Sequence, residues 1–273
     1  MTKDFRFGVG LRAAKSLSSV QEAARRAEDL GFDELHVPDH LGAPAPFPTL
    51  MAAAQATKSL RLGTFVLNSC FYKPALLARD VKALRDLSGG RFELGLGAGY
   101  VREEFEAAEL PYPSARQRVE YMEHVAGYMR ENLPDVPILI AGNGNRLLTV
   151  AARLADIIGL TGGEPSNDVK DPLAERIDFV RRAAGDRFDD VELNIAITAL
   201  PTDESGRPDL KITRHFLPSL TDDELLKTPG VLSGSTREIA DTVRGYRDTY
   251  GVSYLIIQDK HAEAFSKVIA ELR

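Results

Sequence analysis

The chain has 273 residues, of which 44% are hydrophobic and 27% are charged, and its formal net charge at pH 7 is −6. No apolar run is long enough to cross a bilayer, and no basic stripe with interleaved aromatic residues favours a nucleic acid as partner. No basic and apolar leader precedes Phe5, so the sequence predicts a cytoplasmic protein. The single cysteine, Cys70, excludes an internal disulfide and fits a reducing compartment.

Strand-like and helix-like segments alternate along the whole chain. The predicted strands cover 5–11, 34–37, 60–67, 91–96, 137–141, 156–160, 191–198 and 252–257. Helices are predicted at about 18–30, 49–58, 74–87, 115–131, 147–154, 172–184, 221–227, 236–250 and 261–272. The polar stretch after the fourth strand is predicted to be a loop, as is the proline-containing stretch 199–218.

Two of these helices allow more detailed predictions. Ser19 and Glu22 stand at the spacing of a capping box, which places the start of the first helix at Ser18 or Ser19. In the third helix, the apolar residues recur at helical spacing and predict a buried face. That face consists of Leu77, Val81, Leu84 and Leu87.

Eight strand–helix units in a chain of this length predict a single-domain (β/α)₈ barrel over residues 1–273, because such barrels have about 250 residues. A doubly wound open sheet is the alternative, since alternation alone does not show whether the sheet closes. In the barrel, the C-terminal ends of all strands share one face. The polar segments that follow strands two to six would then converge there.

The pair Asp39-His40 follows the second strand, which ends at Pro38. Ionisable side chains at the end of a buried strand are typical of the catalytic loops of α/β proteins. The alternative is a helix-capping aspartate beside a surface histidine. If the pair is catalytic, His40 is the candidate proton donor or acceptor, because histidine titrates near neutral pH without perturbation.

The segment Gly142-Asn143-Gly144-Asn145-Arg146 follows the fifth strand and opens a helix. Free backbone N–H groups and the positive end of the helix dipole favour anion binding there, and glycine lets a phosphate come close to the backbone. The alternative is an Asn-Gly hairpin turn, although the residues that follow have helical periodicity. Thr161, Gly162 and Gly163 on the next loop could extend the same phosphate site.

The glycines of Gly95-x-Gly97-x-Gly99 follow the fourth strand but do not complete a dinucleotide-binding pattern. Tyr100 stands where that pattern requires a glycine, and the expected acidic residue further along is absent. The small residues indicate either a flat molecule close to the backbone or close packing against the neighbouring strand.

Three segments together resemble the bacterial-luciferase-like superfamily and, within it, the F420-dependent oxidoreductases of the luciferase-like class. They are PDHLG (38–42), LRLGTFVLNSCFYKPALLARDVKALRDLSGGRFELGLGAGY (60–100) and PILIAGNGNRLLTVAARLADIIG (137–159). The resemblance implies a TIM barrel that binds F420 or FMN at its C-terminal face. It is strong over about residues 5–160 and loose over the remainder.

The resemblance also implies roles for individual residues. His40 matches the histidine beside the deazaflavin, Asp39 the neighbouring acidic residue, and Phe65-Val66 the position of a non-proline cis peptide that backs the ring. Further cofactor-binding residues implied in this way are Asn68 at the ring edge, Gly97 and Gly99 under the cofactor, and Ala141, Gly142, Asn143 and Gly144 at its phosphate.

The chain departs from the sugar-phosphate dehydrogenases of this class in three respects. Those enzymes carry a glutamate where Tyr100 stands and a tryptophan shortly after the histidine, whereas this chain has no tryptophan. Glu103 and Glu104 are the remaining candidate acids. The insertion that usually follows the fourth long helix is reduced to a short lid at 132–135, which predicts a more open pocket.

The sequence therefore predicts an F420-dependent oxidoreductase that transfers hydride between F420 and a small organic substrate. The reaction is reduction of a C=C, C=N or C=O bond, or the reverse oxidation. The alternatives are an FMNH2-dependent monooxygenase and a non-catalytic flavin-binding relative; a metallohydrolase lacks the further histidine it would need. A homodimer and a separate cofactor reductase are also expected. No role is predicted for His36, His124, His215 and His261.

Overall fold

All strands of the sheet are parallel, and the sheet closes into a barrel. The computed structural model describes residues 3–160 and 171–273. The strands are β1 (Arg6–Gly10), β2 (Glu34–Val37), β3 (Arg61–Thr64), β4 (Leu67–Asn68), β5 (Phe92–Gly97), β6 (Ile138–Ala141), β7 (Ile157–Leu160), β8 (Glu192–Ile197) and β9 (Val252–Gln258). β3 and β4 are two pieces of one barrel strand, because both pair with β5. The predicted (β/α)₈ barrel is confirmed, and the open doubly wound sheet is wrong.

Helices surround the barrel. They are α1 (Leu17–Asp29), α2 (Pro46–Ala56), α3 (Pro74–Leu87), α4 (Arg102–Ala107), α5 (Ala115–Asn132), α6 (Asn145–Leu154), α7 (Pro172–Ala184), α8 (Lys211–Phe216), α9 (Asp222–Leu225), α10 (Thr236–Tyr250) and α11 (Ala262–Leu272). The eight βα units of the prediction are present in the predicted order. The organisation of residues 1–273 as one domain stays a prediction.

Two short helices lie where the sequence predicted loops. α4 and α8 have six residues each, and a single side chain is buried in each of them, Phe105 in α4 and Thr213 in α8. A helix of fewer than two turns cannot show a recurring apolar stripe, so its sequence reads as a polar loop. α4 matters for the site because it carries both candidate glutamates.

The start of α1 differs from the prediction by a few residues. Ser16 is the N-cap and forms a capping box with Ser19, whose side chain accepts a hydrogen bond from the Ser16 backbone N–H at 3.0 Å. Glu22 is therefore not part of the box. A serine can replace the usual glutamate at the third helical position because its hydroxyl oxygen also accepts a hydrogen bond.

The predicted buried face of α3 is confirmed at three of its four positions. Leu77, Val81 and Leu84 are buried, whereas Leu87 is 70% exposed. Leu87 is the last residue of the helix, immediately before Ser88 and two glycines in left-handed conformations. The chain turns there, so Leu87, the last residue of the apolar stripe, is not covered by the barrel.

The barrel interior has an apolar layer between two polar ends. Leu139, Ile157, Tyr254 and Ile256 form a buried cluster, and Phe65, Val66 and Ala141 pack against it. The polar segments that follow the strands lie on the C-terminal side of this layer. Charged residues at the starts of the strands, such as Arg6 and Glu34, lie on its N-terminal side.

The link between α5 and β6 covers only residues 133–137 and is short, as predicted. It enters β6 at the first residue of the strand, so it lies at the N-terminal face of the barrel. The segments that can cover the opposite face are therefore those that follow the strands.

Candidate active site

His40 and Glu104 are in direct contact at the C-terminal face. The Nδ1 atom of His40 lies 2.8 Å from Oε1 of Glu104. β2 delivers His40 through Pro38, and the first turn of α4 delivers Glu104. An ionised carboxylate only accepts, so Nδ1 donates and Nε2 is the nitrogen that can serve a bound molecule. The side chain of His40 is 36% exposed and that of Glu104 is 15% exposed, so the pair is reachable from solvent.

Of the two candidate acids, Glu104 is the one that meets His40. Glu103 also lies in the first turn of α4, but it is exposed. Adjacent helical residues point in directions about 100° apart, so only one of the two could face the histidine. The sequence could not choose between them because the helix itself was not predicted.

Asp39 holds two loops together. Its Oδ2 accepts a hydrogen bond from the backbone N–H of Asn68 at 3.0 Å, and its carboxylate also pairs with the hydroxyl of Tyr72. Burial raises the pKa of Asp39, and these two donors partly offset the rise. Burial and the neighbouring Asp39 likewise raise the pKa of Tyr72, so the tyrosine remains a donor. Asp39 thus ties the segment after β2 to the segment after β4.

Asn68 and Gly99 are packed against each other. The Oδ1 atom of Asn68 accepts a hydrogen bond from the backbone N–H of Cys70 at 3.1 Å. A Cβ atom at Gly99 would lie 2.2 Å from this same oxygen, and Gly99 has a φ of +71°. Both the space and the backbone conformation therefore require glycine at this position.

Gly97 makes room for the irregular third barrel strand. The Phe65–Val66 peptide bond is cis, as the resemblance implied. A Cβ atom at Gly97 would lie 2.6 Å from Cγ2 of Val66. The sequence allowed two explanations for the glycines of Gly95-x-Gly97-x-Gly99, which lie at the end of β5. Close packing against the neighbouring strand is thus confirmed. Phe65 and Val66 are half-buried and contribute to the apolar layer beneath the C-terminal face.

The segment from Ala141 to Asn145 leads from β6 into α6. Gly144 is the N-cap of α6 and the helix has no side-chain cap, so the predicted helix start is confirmed and the hairpin alternative is wrong. Gly144 is exposed, and a Cβ atom placed on it would meet no atom within 4 Å. Gly144 thus presents an open backbone surface at the positive end of the helix, whereas the N–H of Gly142 donates to the backbone oxygen of Gly159 at 3.1 Å.

Arg176 of α7 contacts this segment, and both carboxylate oxygens of Glu175 pair with its guanidinium group. Its Nη1 donates to the backbone oxygen of Asn143 at 3.2 Å and to Oδ1 of Asn145 at 2.6 Å, while its Nη2 pairs with Glu175. No role was predicted for Arg176, because its contacts reach from α7 back to the start of α6 and leave no local pattern. The predicted phosphate-site residues Thr161 and Gly162, with Gly163, lie outside the described residues.

Two further residues shape the site without having been predicted. The hydroxyl of Tyr72 donates to Asp39. In the sequence, its position just before Lys73-Pro74 and the start of a helix is the feature that could have pointed to it. Arg118 is 8% exposed and donates to the backbone oxygens of Gly99 at 2.7 Å and of Pro113 at 2.6 Å. It thereby fixes both ends of the segment that contains α4. An arginine on the buried face of α5 was the signal in that case.

A closed parallel barrel with ionisable side chains at the carboxyl ends of its strands is the arrangement found in TIM-barrel enzymes. The luciferase-like monooxygenase family matches residues 4–217, most of the chain, and the protein belongs to this family. The predicted membership of the luciferase-like superfamily and the prediction of an enzyme are confirmed.

Known relatives agree with the predicted branch of the family. An F420-dependent glucose-6-phosphate dehydrogenase of Amycolatopsis mediterranei is 29% identical over 72% of this chain and 69% of its own length. A 5,10-methylenetetrahydromethanopterin reductase of Methanolobus tindarius is 25% identical over 59% of this chain and 55% of its own length. The chain thus spans little more than half of the second relative.

A solved structure has the same fold. The coenzyme F420-dependent tetrahydromethanopterin reductase of Methanopyrus kandleri superposes with a TM-score of 0.76, over 99% of this chain and 100% of the other, at 16% identity. Among the helices of the described residues, none combines the length and the apolar character that a membrane span requires.

Proposed function

We propose that this protein is an F420-dependent oxidoreductase that transfers hydride between F420 and a small organic substrate. The observation that carries the proposal is the contact between His40 and Glu104 at the C-terminal face. The relative named as an F420-dependent glucose-6-phosphate dehydrogenase and the coenzyme F420-dependent reductase of the same fold support the choice of cofactor.

The residues present fit such a cofactor at both of its ends. The uncapped start of α6, with the open backbone at Gly144 and the guanidinium of Arg176, suits an anionic phosphate tail. Phe65, Val66 and Ala141 offer an apolar surface on which a flat ring system can rest. Asn68 lies beyond this surface, held by Asp39 and Gly99, and offers an amide group to the ring edge.

His40 and Glu104 would handle the proton that accompanies hydride transfer. Bound F420 supplies or accepts the hydride at its ring carbon C5. In the direction of reduction, Nε2 of His40 donates a proton to the substrate atom next to the carbon that receives the hydride. In the reverse direction, Nε2 removes that proton. Glu104 holds the imidazole through Nδ1 and stabilises the positive charge that the ring carries when Nε2 is protonated.

We infer that the substrate is not a sugar phosphate. Tyr100 occupies the position of a glutamate in the sugar-phosphate dehydrogenases of this class, and its side chain is 64% exposed. The tryptophan expected after His40 is absent, since the chain contains none. A small compound with an electron-poor C=C, C=N or C=O bond, or the corresponding alcohol, suits the site better.

A titration with each cofactor tests the proposal. Purified full-length protein is titrated with F420 and, separately, with FMN, and binding is followed by fluorescence and by calorimetry. We expect saturable one-to-one binding of F420 that is at least tenfold tighter than that of FMN. Tighter binding of FMN would instead favour the monooxygenase that the family's name describes. Binding of neither cofactor at saturating concentration would refute the proposal.

A variant at the start of α6 shows whether the phosphate tail lies there. Arg176→Gln should weaken F420 binding several-fold, and more so at low salt, because the interaction is between charges. Arg237→Gln, an exposed change in α10, serves as the control and should leave the affinity unchanged. A homodimer, a separate cofactor reductase and a cytoplasmic location stay predictions from the sequence.

A further inference from the structure

A second ionisable cluster lies at the N-terminal end of the barrel, on the far side of the apolar layer from His40. It is built on three neighbouring strands. In the parallel register, Gly63 of β3 stands beside both His36 of β2 and Glu93 of β5. Glu34 lies two residues before His36, so it shares the same face of β2. Glu34, His36 and Glu93 are all 0% exposed.

Arg6 uses one oxygen of each carboxylate and leaves the other. Its Nη2 donates to Oε2 of Glu34 at 2.6 Å and to Oε2 of Glu93 at 2.8 Å. The hydroxyl of Tyr254 also donates to Oε2 of Glu34, at 3.0 Å. Oε1 of Glu34 and Oε1 of Glu93 are buried and have no hydrogen-bond partner among the described residues.

His36 is left with an unused ring nitrogen as well. Its Nε2 lies 2.5 Å from the hydroxyl of Tyr254, whose single proton goes to Glu34. With the Tyr254 proton on Glu34, Nε2 donates to the tyrosine oxygen and Nδ1 of the neutral ring carries a lone pair. Nδ1 is buried and also lacks a partner among the described residues.

Three buried acceptors therefore remain without a donor among the described residues. One ligand atom from each of Glu34, His36 and Glu93 can be chosen so that all three lie within 4.8 Å of one another. A Cβ atom at Gly63 would lie 2.5 Å from Nδ1 of His36 and 2.7 Å from Oε1 of Glu34. His36 and Glu34 thus pack closely against the backbone of Gly63, and any larger residue there would displace both side chains.

The cluster contains side-chain types that bind divalent metal ions. Three carboxylates, those of Glu34, Glu93 and Glu192, face the guanidinium groups of Arg6 and Arg61, and Lys3 adds a third positive charge near Glu192. Buried charges are stable only when they are paired or coordinate a metal. One imidazole and two carboxylates form a mixed nitrogen and oxygen set, which suits Zn²⁺ and similar first-row ions better than Mg²⁺ or Ca²⁺.

We propose that Glu34, His36 and Glu93 bind a divalent transition-metal ion, with Zn²⁺ as the probe, through the two Oε1 atoms and Nδ1. The ion joins β2 to β5 across Gly63 and has a structural role, distinct from the proposed hydride transfer at the other end of the barrel. Arg6 and Arg61 stand at the mouth, with 26% and 35% of their side chains exposed. The bound ion is therefore expected to exchange slowly with chelators.

Metal binding to the full chain, with no affinity tag, tests the proposal. The protein is stripped with a strong chelator and titrated with Zn²⁺, and the bound metal is counted by elemental analysis after gel filtration. We expect one equivalent of Zn²⁺ and a higher thermal unfolding midpoint, because an ion that binds only the folded chain stabilises it. Mg²⁺ at the same concentration should give neither effect.

Matched histidine variants locate the ion. His36→Gln should weaken Zn²⁺ binding by at least ~100-fold, since loss of a supporting partner alone costs 10- to 100-fold. His124→Gln, on the exposed side of α5, and His40→Gln, at the opposite end of the barrel, should each retain the equivalent. The proposal is overturned if His36→Gln binds Zn²⁺ as the wild type does, or if the equivalent is lost in His40→Gln instead.

X-ray absorption of the loaded wild-type protein is a test that needs no variant to fold. The spectrum should show one imidazole nitrogen and carboxylate oxygens at about 2.0–2.2 Å from the zinc. Several imidazoles, or oxygen ligands alone, would contradict the assignment. So would a stripped protein that takes up no zinc, because the three acceptors would then share a water molecule or a proton.

Discussion

Asp39 and Asn68 are joined by a hydrogen bond 3.0 Å long, from the backbone N–H of Asn68 to Oδ2 of Asp39. This contact links the end of β2, which carries His40, to the end of β4. The residue next to the candidate proton donor thus has a positioning role: it sets where the two loops lie relative to each other.

Removing the Asp39 carboxylate should therefore affect both stability and binding. We expect Asp39→Ala to lower the free energy of unfolding by about 1–3 kcal/mol, because it leaves the Asn68 N–H and the Tyr72 hydroxyl without their acceptor. Asp39→Asn keeps an acceptor oxygen and should lose clearly less. Urea denaturation of the two variants measures the difference, and equal stability of Asp39→Ala and wild type would rule out this role.

Gly99 is the glycine for which substitution should be most harmful to the site. In Gly99→Ala, the new Cβ would lie 2.2 Å from Oδ1 of Asn68, at a φ of +71°. We expect a loss of about 1–3 kcal/mol from the backbone conformation alone, and weaker cofactor binding because Asn68 must move. The comparison is Gly245→Ala in α10, where a Cβ meets no atom within 4 Å. That change should be neutral or stabilising by up to about 1 kcal/mol. Similar effects of the two substitutions on stability and binding would contradict the account.

How much of this site was predictable can be judged from its residues. Asp39, His40 and Asn68 follow strands, and strand ends share one face of a parallel barrel, so their convergence followed from the alternating pattern. The choice of Glu104 over Glu103 did not, because α4 is too short to show a period. Tyr72, Arg118 and Arg176 were missed because their partners lie on other elements, and pairing across elements leaves no local pattern.

The cluster of Glu34, His36 and Glu93 could not be predicted from the sequence for a different reason. Glu34 and His36 alternate along β2 and so share one face, which the sequence shows. Their burial, and the approach of Glu93 across Gly63, depend on barrel closure and on strand register. A polar residue in a short strand is read as solvent-facing unless the closure of the sheet is already known. His36 was accordingly given no role.

The hydrogen bonds of Glu28 lead to a prediction about the stability of the protein at low pH. Its Oε1 accepts hydrogen bonds from the backbone N–H groups of Lys58, Ser59 and Leu60 and from the Ser59 hydroxyl. Burial acts to raise the pKa of Glu28, but these hydrogen bonds, led by those from Ser59, outweigh it and lower the pKa to about 2. A depressed pKa in the folded state means that this stabilisation is complete above pH 4.5 and is lost as the pH falls towards 2.

Glu28→Gln should therefore be less stable than wild type at pH 7, and the gap should close as the pH falls from 4.5 to 2. Unfolding curves at a series of pH values measure this gap. Glu22→Gln, an exposed change in the same helix, should track wild type at every pH. A gap between Glu28→Gln and wild type that does not depend on pH would show that the carboxylate charge is not what the four donors recognise.

The most direct measurement for the proposed function is a single-turnover reaction of F420-loaded protein, followed through the absorbance of the cofactor with a panel of small carbonyl and alcohol substrates. Once a substrate is found, His40→Gln should slow the turnover by at least ~100-fold, since a positioned acid or base contributes about 10²–10⁴. Glu104→Gln should slow it less, and F420 should still bind to both variants. Turnover by His40→Gln at the wild-type rate would contradict the assignment of the proton to His40.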